Sequence, residues 1–234
     1  MNSRKPFAPW YLHGVSGSIT LMLVLLLGSC APEKNGLQPL APADSLAIVR
    51  DNIVHRAQVD EFFRSDPDSP FQRDTSVSYH GLTWFAVNPR YSVHSVLHRY
   101  EHPDTVVVLG TKGESRRQLR YGYFAFTLPD EHGIARQCTL NVYKFTPHDP
   151  QRYALYKNNL SLWFTDRTTG EETYEVGRYI EMGVENPDPS FEYTIDFNKA
   201  FNPYCAYSSL YSCAIPTKDD HLDLALRVGE QRYH

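Results

Sequence analysis

Tyr123-Phe-Ala-Phe-Thr-Leu128, Pro129-Asp-Glu-His-Gly133 and Cys138-Thr-Leu-Asn-Val-Tyr143 together decide the fold class. Phe124, Phe126 and Leu128 point one way and Tyr123, Ala125 and Thr127 the other, which is the period of a half-buried strand. Cys138, Leu140 and Val142 oppose Thr139, Asn141 and Tyr143 in the same manner. The segment between them is rich in turn residues, so the two read as a hairpin. Phe191, Tyr193, Ile195 and Phe197 repeat the alternation, as do Leu222, Leu224, Leu226 and Val228. Shorter strands are expected near 82–87, 91–99, 105–109, 160–165 and 178–184. Asp44 or Ser45 can cap a helix running to about Phe63, with Leu46, Val49, Ile53 and Ala57 on one face. Pro67 and Pro70 end that segment. The expected fold is mainly β: a single antiparallel sandwich or barrel-like domain over residues 44–234, with an N-terminal α-helix packed on it.

The chain has 234 residues, of which 41% are hydrophobic, 21% charged and 13% aromatic. That composition excludes a wholly disordered chain, a collagen-like chain and a multi-span membrane protein. A formal charge of −4 offers no basic surface for nucleic acid. Residues 1–29 carry Arg4 and Lys5 and no acid, followed by an apolar run from Ile19 to Leu27. Such a run spans roughly 14 Å as a helix, about half of a ~30 Å hydrocarbon core, so it reads as a signal-peptide core. It ends Leu27-Gly28-Ser29-Cys30, which looks like a bacterial lipobox with Cys30 as the acylated residue. An ordinary secretory signal with an incidental cysteine is the alternative. Residues 30–43 contain three prolines and read as a lipid-anchored tether. The expected location is the cell envelope, anchored to a membrane and facing the periplasm.

Cys138 lies on the apolar face of its strand and reads as a small buried hydrophobe. Cys205 and Cys213 lie in an irregular, proline-containing segment, where a disulfide is the default for an exported chain. Free thiols are a second reading, and a metal site with His221 is a third. The close-spaced cysteine pair typical of zinc sites is absent. His94, His98 and His102 fall on one strand face roughly 13 Å apart in succession, too far to share an ion directly. There is no Gly-x-Ser-x-Gly, no phosphate-cradling glycine loop, no His-Glu-x-x-His and no calcium loop, and no cofactor is implied.

Asp196-Phe-Asn-Lys-Ala-Phe-Asn-Pro-Tyr-Cys205-Ala-Tyr207, Cys213-Ala-Ile-Pro216 and Gly229-Glu230 stand out in the C-terminal third. With Gly81-Leu-Thr-Trp-Phe85, Glu172-Thr-Tyr174 and Gly177-Arg-Tyr179, they resemble the bacterial family named domain of unknown function 1684, here as a lipoprotein member. The resemblance spans about residues 45–233 and implies no reaction. It does imply that the two cysteines occur in members without an export signal, which weighs toward thiols or metal against the disulfide.

Two functions remain open. One is a lipid-anchored binding or accessory module for a small molecule or an envelope protein. The other is a periplasmic enzyme with a site around the Asn202–Cys213 loop, thiol- or metal-dependent, with Cys205 as nucleophile and Arg178 as an anion clamp. Arg178, Asp196, Asn202 and Tyr207 are expected to share a pocket at a strand end. The alternative is that Asn202 caps the loop and Arg178 pairs with Asp196.

Overall fold

The computed structural model describes residues 40–234. The expected signal peptide, Cys30 and most of the expected tether lie outside the described residues. Helix α1 (Pro42–Ser65) and the short α2 (Pro70–Arg73) precede the sheets. Strands β1 (Ser92–Val96), β2 (His98–Leu109), β3 (Ser115–Pro129) and β4 (Ala135–Phe145) follow, then α3 (Pro150–Tyr156). The chain closes with β5 (Asn159–Asp166), β6 (Arg178–Val184), β7 (Glu192–Asp196) and β8 (His221–Leu222). The main sheet runs β2-β3-β4-β5-β6, with β8 against β5, and β1 pairs with β7 in a separate ribbon. All pairs are antiparallel except β5 with β8.

The ribbon packs on the main sheet through rings: Phe124 against Tyr193 at 5.3 Å, Phe126 against Phe197 at 5.5 Å, and Phe164 against Phe197 at 5.3 Å. The result is the expected mainly antiparallel, sandwich-like β architecture with a packed helix and no closed barrel among the described residues. The β3–β4 hairpin pairs Phe124 with Leu140 and Phe126 with Cys138. Asp130 fixes its turn, accepting from the backbone N–H of His132 at 2.9 Å and of Ile134 at 2.8 Å.

A β-bulge between Arg120 and Gly122 shifts the phase of β3. Even-numbered residues beyond it face the ribbon, whereas Arg116, Gln118 and Arg120 before it face the opposite side of the sheet. The extra residue places Arg116, Gln118 and Arg120 on the same side as Tyr143 of β4.

Three expectations are corrected. The 82–87 segment is no strand; it makes a single bridge, Trp84 to Glu230. Residues 222–228 bury Leu222, Leu224, Leu226 and Val228 as expected, yet only His221–Leu222 is ladder-paired. The buried Arg178 guanidinium takes the place of a neighbouring strand there, donating to the carbonyls of Leu226 (2.9 Å), Val228 and Glu230 (3.4 Å). Helix α1 does not pack through Leu46 and Ile53, which are exposed, but through Asn52 and Phe63. Asn52 donates to Asp196 at 2.8 Å, and Arg56 to the Phe85 carbonyl at 2.9 Å. Polar contacts dock a helix that lacks a dominant apolar stripe.

Candidate functional site

The second face of the main sheet begins at β2, where Val106 and Val108 stand opposite Gln118 and Arg116 of β3. Gln118 in turn pairs with Phe145, and Arg120 with Tyr143, of β4. Tyr143 pairs with Ser161 of β5, and Trp163 with Tyr179 of β6. Tyr143 and Trp163 stack at 4.6 Å. The C-terminal chain covers half of this face: Tyr179 donates its hydroxyl to the Ala214 carbonyl at 2.5 Å, and Tyr143 donates to Asp220 at 2.7 Å. Burial pushes the Tyr179 phenol well above its ordinary value.

The uncovered half is a cavity of about 380 Å³ beside α3. Its walls are aromatic, from Phe145, Tyr156, Trp163, Tyr179 and Phe201, and Arg116 and Arg152 bring cations to it. Arg116 is held in place by Glu114 at 2.6 Å and by the Ser212 carbonyl at 2.6 Å. The Ser212 hydroxyl, followed by Arg116, lowers the Glu114 carboxyl to about 2. Two residues of this lining are unlike the rest. Gln118 Oε1 and Trp163 Nε1 are buried and have no hydrogen-bond partner in the protein, although their residues are only 4% exposed. Such a group costs about 1–3 kcal/mol while it stays unpaired.

A larger cavity of about 580 Å³ lies between α1 and the strands, walled by Ile48, His55, Phe62, Thr194, Asp196 and Phe201, among others. Its charged groups are mostly engaged: Lys199 pairs with Asp51 at 2.6 Å, and Asp196 accepts from Asn52 at 2.8 Å and Asn198 at 2.8 Å.

Of the residues the sequence singles out, the structure brings Arg178, Asn202 and Tyr207 together and leaves Asp196 apart. The three meet at Glu230. Asn202 donates to it through its backbone (2.9 Å) and its amide (2.8 Å), and Tyr207 donates to both carboxylate oxygens at 2.7 Å. Gly229, at φ +79°, turns the chain so that Glu230 reaches inward; a Cβ there would meet the Ala200 carbonyl oxygen at 2.7 Å. Burial raises the Glu230 carboxyl to about 7. Arg178 forms an ion pair with Asp166 at 2.6 Å, not with Asp196. Phe164 is the register partner of Arg178, so Asp166 lies two residues along on the same face. Gly177 permits this approach, because a Cβ at that position would meet the Phe164 carbonyl oxygen at 2.6 Å.

Cys205 and Cys213 lie side by side, but as free thiols and not as the expected disulfide. The Cys205 backbone N–H donates to Cys213 Sγ at 3.4 Å, and the Tyr174 hydroxyl donates to Cys205 Sγ at 3.8 Å. Donation from the Cys213 thiol, then from Tyr174 and Thr111, holds Cys205 well below the ordinary thiol range, while the Cys213 proton is held more tightly. His221 does not join them as a metal ligand: it hydrogen-bonds Thr165 at 3.0 Å, and no metal-ligand cluster occurs among the described residues.

Sequence reasoning missed Gln118, Trp163 and Arg116. No strand is expected over residues 115–122 from the sequence, and a lone Trp in an apolar run reads as core.

A model of the family described as "Protein of unknown function (DUF1684)" matches residues 77–231. A solution NMR structure of an uncharacterized protein from Haloarcula marismortui is similar, with a TM-score of 0.54 and 28% identity. The match covers 82% of this chain and 97% of that one. No curated protein matches. All lining residues of the second-face cavity fall within the matched span, whereas α1, a wall of the larger cavity, falls outside it.

Proposed function

From the premise that this chain belongs to the family described as Protein of unknown function (DUF1684), we propose that it is a lipid-anchored envelope module that binds a small molecule on the second face of its main sheet. The observation that carries the reading is the pair of unpartnered buried atoms, Gln118 Oε1 and Trp163 Nε1, on residues that line one cavity. A ligand that, with a small shift of the two side chains, donates to the first and accepts from the second removes both penalties, which is how a site selects a polar pattern from an apolar wall. The aromatic walls favour a largely planar body. Arg116, although paired with Glu114, and Arg152, 3.6 Å from Asp149, supply guanidinium donors for an anionic substituent. The anchor rests on Leu27-Gly28-Ser29-Cys30 and the apolar run before it.

Two measurements test the two halves of the proposal. Cys30→Ser is expected to move the protein from membranes to the soluble periplasmic fraction, and persistence in membranes overturns the anchor. Titration with 8-anilinonaphthalene-1-sulfonate, an aromatic anion carrying one N–H donor, is expected to show one site that a Ser161→Phe plug abolishes. Unchanged binding in the plugged variant overturns the cavity.

A further inference from the structure

We propose that Cys205 and Cys213 form a dithiol–disulfide exchange couple in which Cys205 attacks and Cys213 resolves. Cys205 lines neither of the cavities described, Cys213 lies at the edge of the second-face cavity, and the exchange itself needs no ligand there.

Three observations carry it. The two sulfurs are in one hydrogen-bonded group, with Cys213 Sγ 3.4 Å from the Cys205 backbone nitrogen. Their surroundings differ: Cys205 Sγ receives a side-chain donor, the Tyr174 hydroxyl, at 3.8 Å, whereas Cys213 Sγ receives only the Cys205 backbone N–H, and the Cys213 backbone N–H is itself held by Thr111 Oγ1 at 3.1 Å. Both cysteines are only partly buried, so a small reactant has access to them. Hydrogen bonds donated to a sulfur favour its thiolate, and the thiolate is the attacking species. Cys138 is the internal contrast, since it packs against the main core and burial raises its thiol to about 11.

The oxidant is a low-molecular-weight disulfide, R–S–S–R. The Cys205 thiolate attacks one of its sulfurs, a Cys205–S–R bond forms, the S–S bond breaks, and R–S⁻ leaves. Cys213 then loses its proton and attacks the Cys205 sulfur. The Cys205–Cys213 bond forms and a second R–S⁻ leaves. Two protein thiols are oxidised, one disulfide is reduced, and two electrons pass to the two leaving thiols, which take up the two protons. The reverse sequence reduces the protein at the cost of a thiol donor.

The test exposes the reduced full chain to oxidised glutathione, quenches with acid, alkylates and maps the peptides. In the wild type, Cys205 and Cys213 are expected to end bridged, with little glutathione retained. Cys213→Ser is expected to accumulate glutathione on Cys205, and Cys205→Ser to react at Cys213 at least about tenfold more slowly. Iodoacetamide on the reduced wild type gives a readout independent of any variant's folding, with Cys205 modified about tenfold faster than Cys213. Equal reaction of the two cysteines, a stable glutathione adduct in the wild type, or no reaction at either residue overturns the proposal.

Discussion

Toward the ribbon, the main sheet presents Phe124, Phe126, Leu128, Leu140 and Val142, all buried and all apolar. Toward α3, the same strands present Arg116, Gln118, Tyr143, Ser161 and Trp163. The first face is closed by Tyr193, Ile195 and Phe197. The second is closed for only half its extent and keeps two buried hydrogen-bonding atoms without partners. Burial of apolar area drives folding on the first, and nothing on it needs a further component. Unpaired polar atoms oppose folding on the second, which is the ground of the proposed ligand site.

The largest effect is expected where the closed side is held by charge. Arg178 and Asp166 are at most 1% exposed along their side chains, and the guanidinium also serves three carbonyls. Arg178→Ala is expected to cost about 3–5 kcal/mol in urea unfolding, because it strands Asp166 and those acceptors. Phe124→Ala should cost a similar amount, about 3–5 kcal/mol, by opening a void against Tyr193.

Glu230 comes next, and its effect depends on pH. The folded chain retains a proton on this carboxyl up to about 7, above the usual 4.5 of the unfolded chain. Folded protein therefore binds more protons than unfolded protein between those values, and stability falls as pH rises. The contribution is whole below the unfolded value and lost above the folded one, a span of about 3 kcal/mol. Urea midpoints of Glu230→Gln across this window are expected to be flatter than those of the wild type.

On the second face the sign reverses. Gln118→Leu removes an unpartnered oxygen and is expected to leave stability unchanged or raise it by about 1 kcal/mol, while weakening anilinonaphthalenesulfonate binding. A clear loss of stability would place Gln118 with the structural residues and erase the contrast between the faces.

The closed face was legible from sequence because its alternation survives in Phe124, Phe126 and Leu128 and in Leu140 and Val142. The open face was not, because no strand was expected over 115–122, and the bulge near Tyr121 reverses the phase so that the buried Gln118 does not share the Phe124 face. The 222–228 alternation was read correctly as burial and wrongly as a strand, since a side chain 48 or more residues away supplies the donors. Arg178, Asn202 and Tyr207, expected with Asp196 to share a pocket, do meet, but without Asp196. Glu230, which gathers them, stood out only as part of the Gly229-Glu230 motif, because a single acid after a glycine carries no sign of burial. Their hydrogen bonds run mainly within the protein, and neither Arg178 nor Asn202 lines either cavity.

The most direct measurement compares two plugged variants. Ser161→Phe fills the second-face cavity, and Ala47→Trp obstructs the cavity beneath α1. With both folded by urea unfolding, anilinonaphthalenesulfonate is titrated against each and against the wild type. Loss of binding in Ser161→Phe, with the wild-type Kd kept in Ala47→Trp, is the predicted result. Retained binding in Ser161→Phe, with loss in Ala47→Trp, would contradict the account.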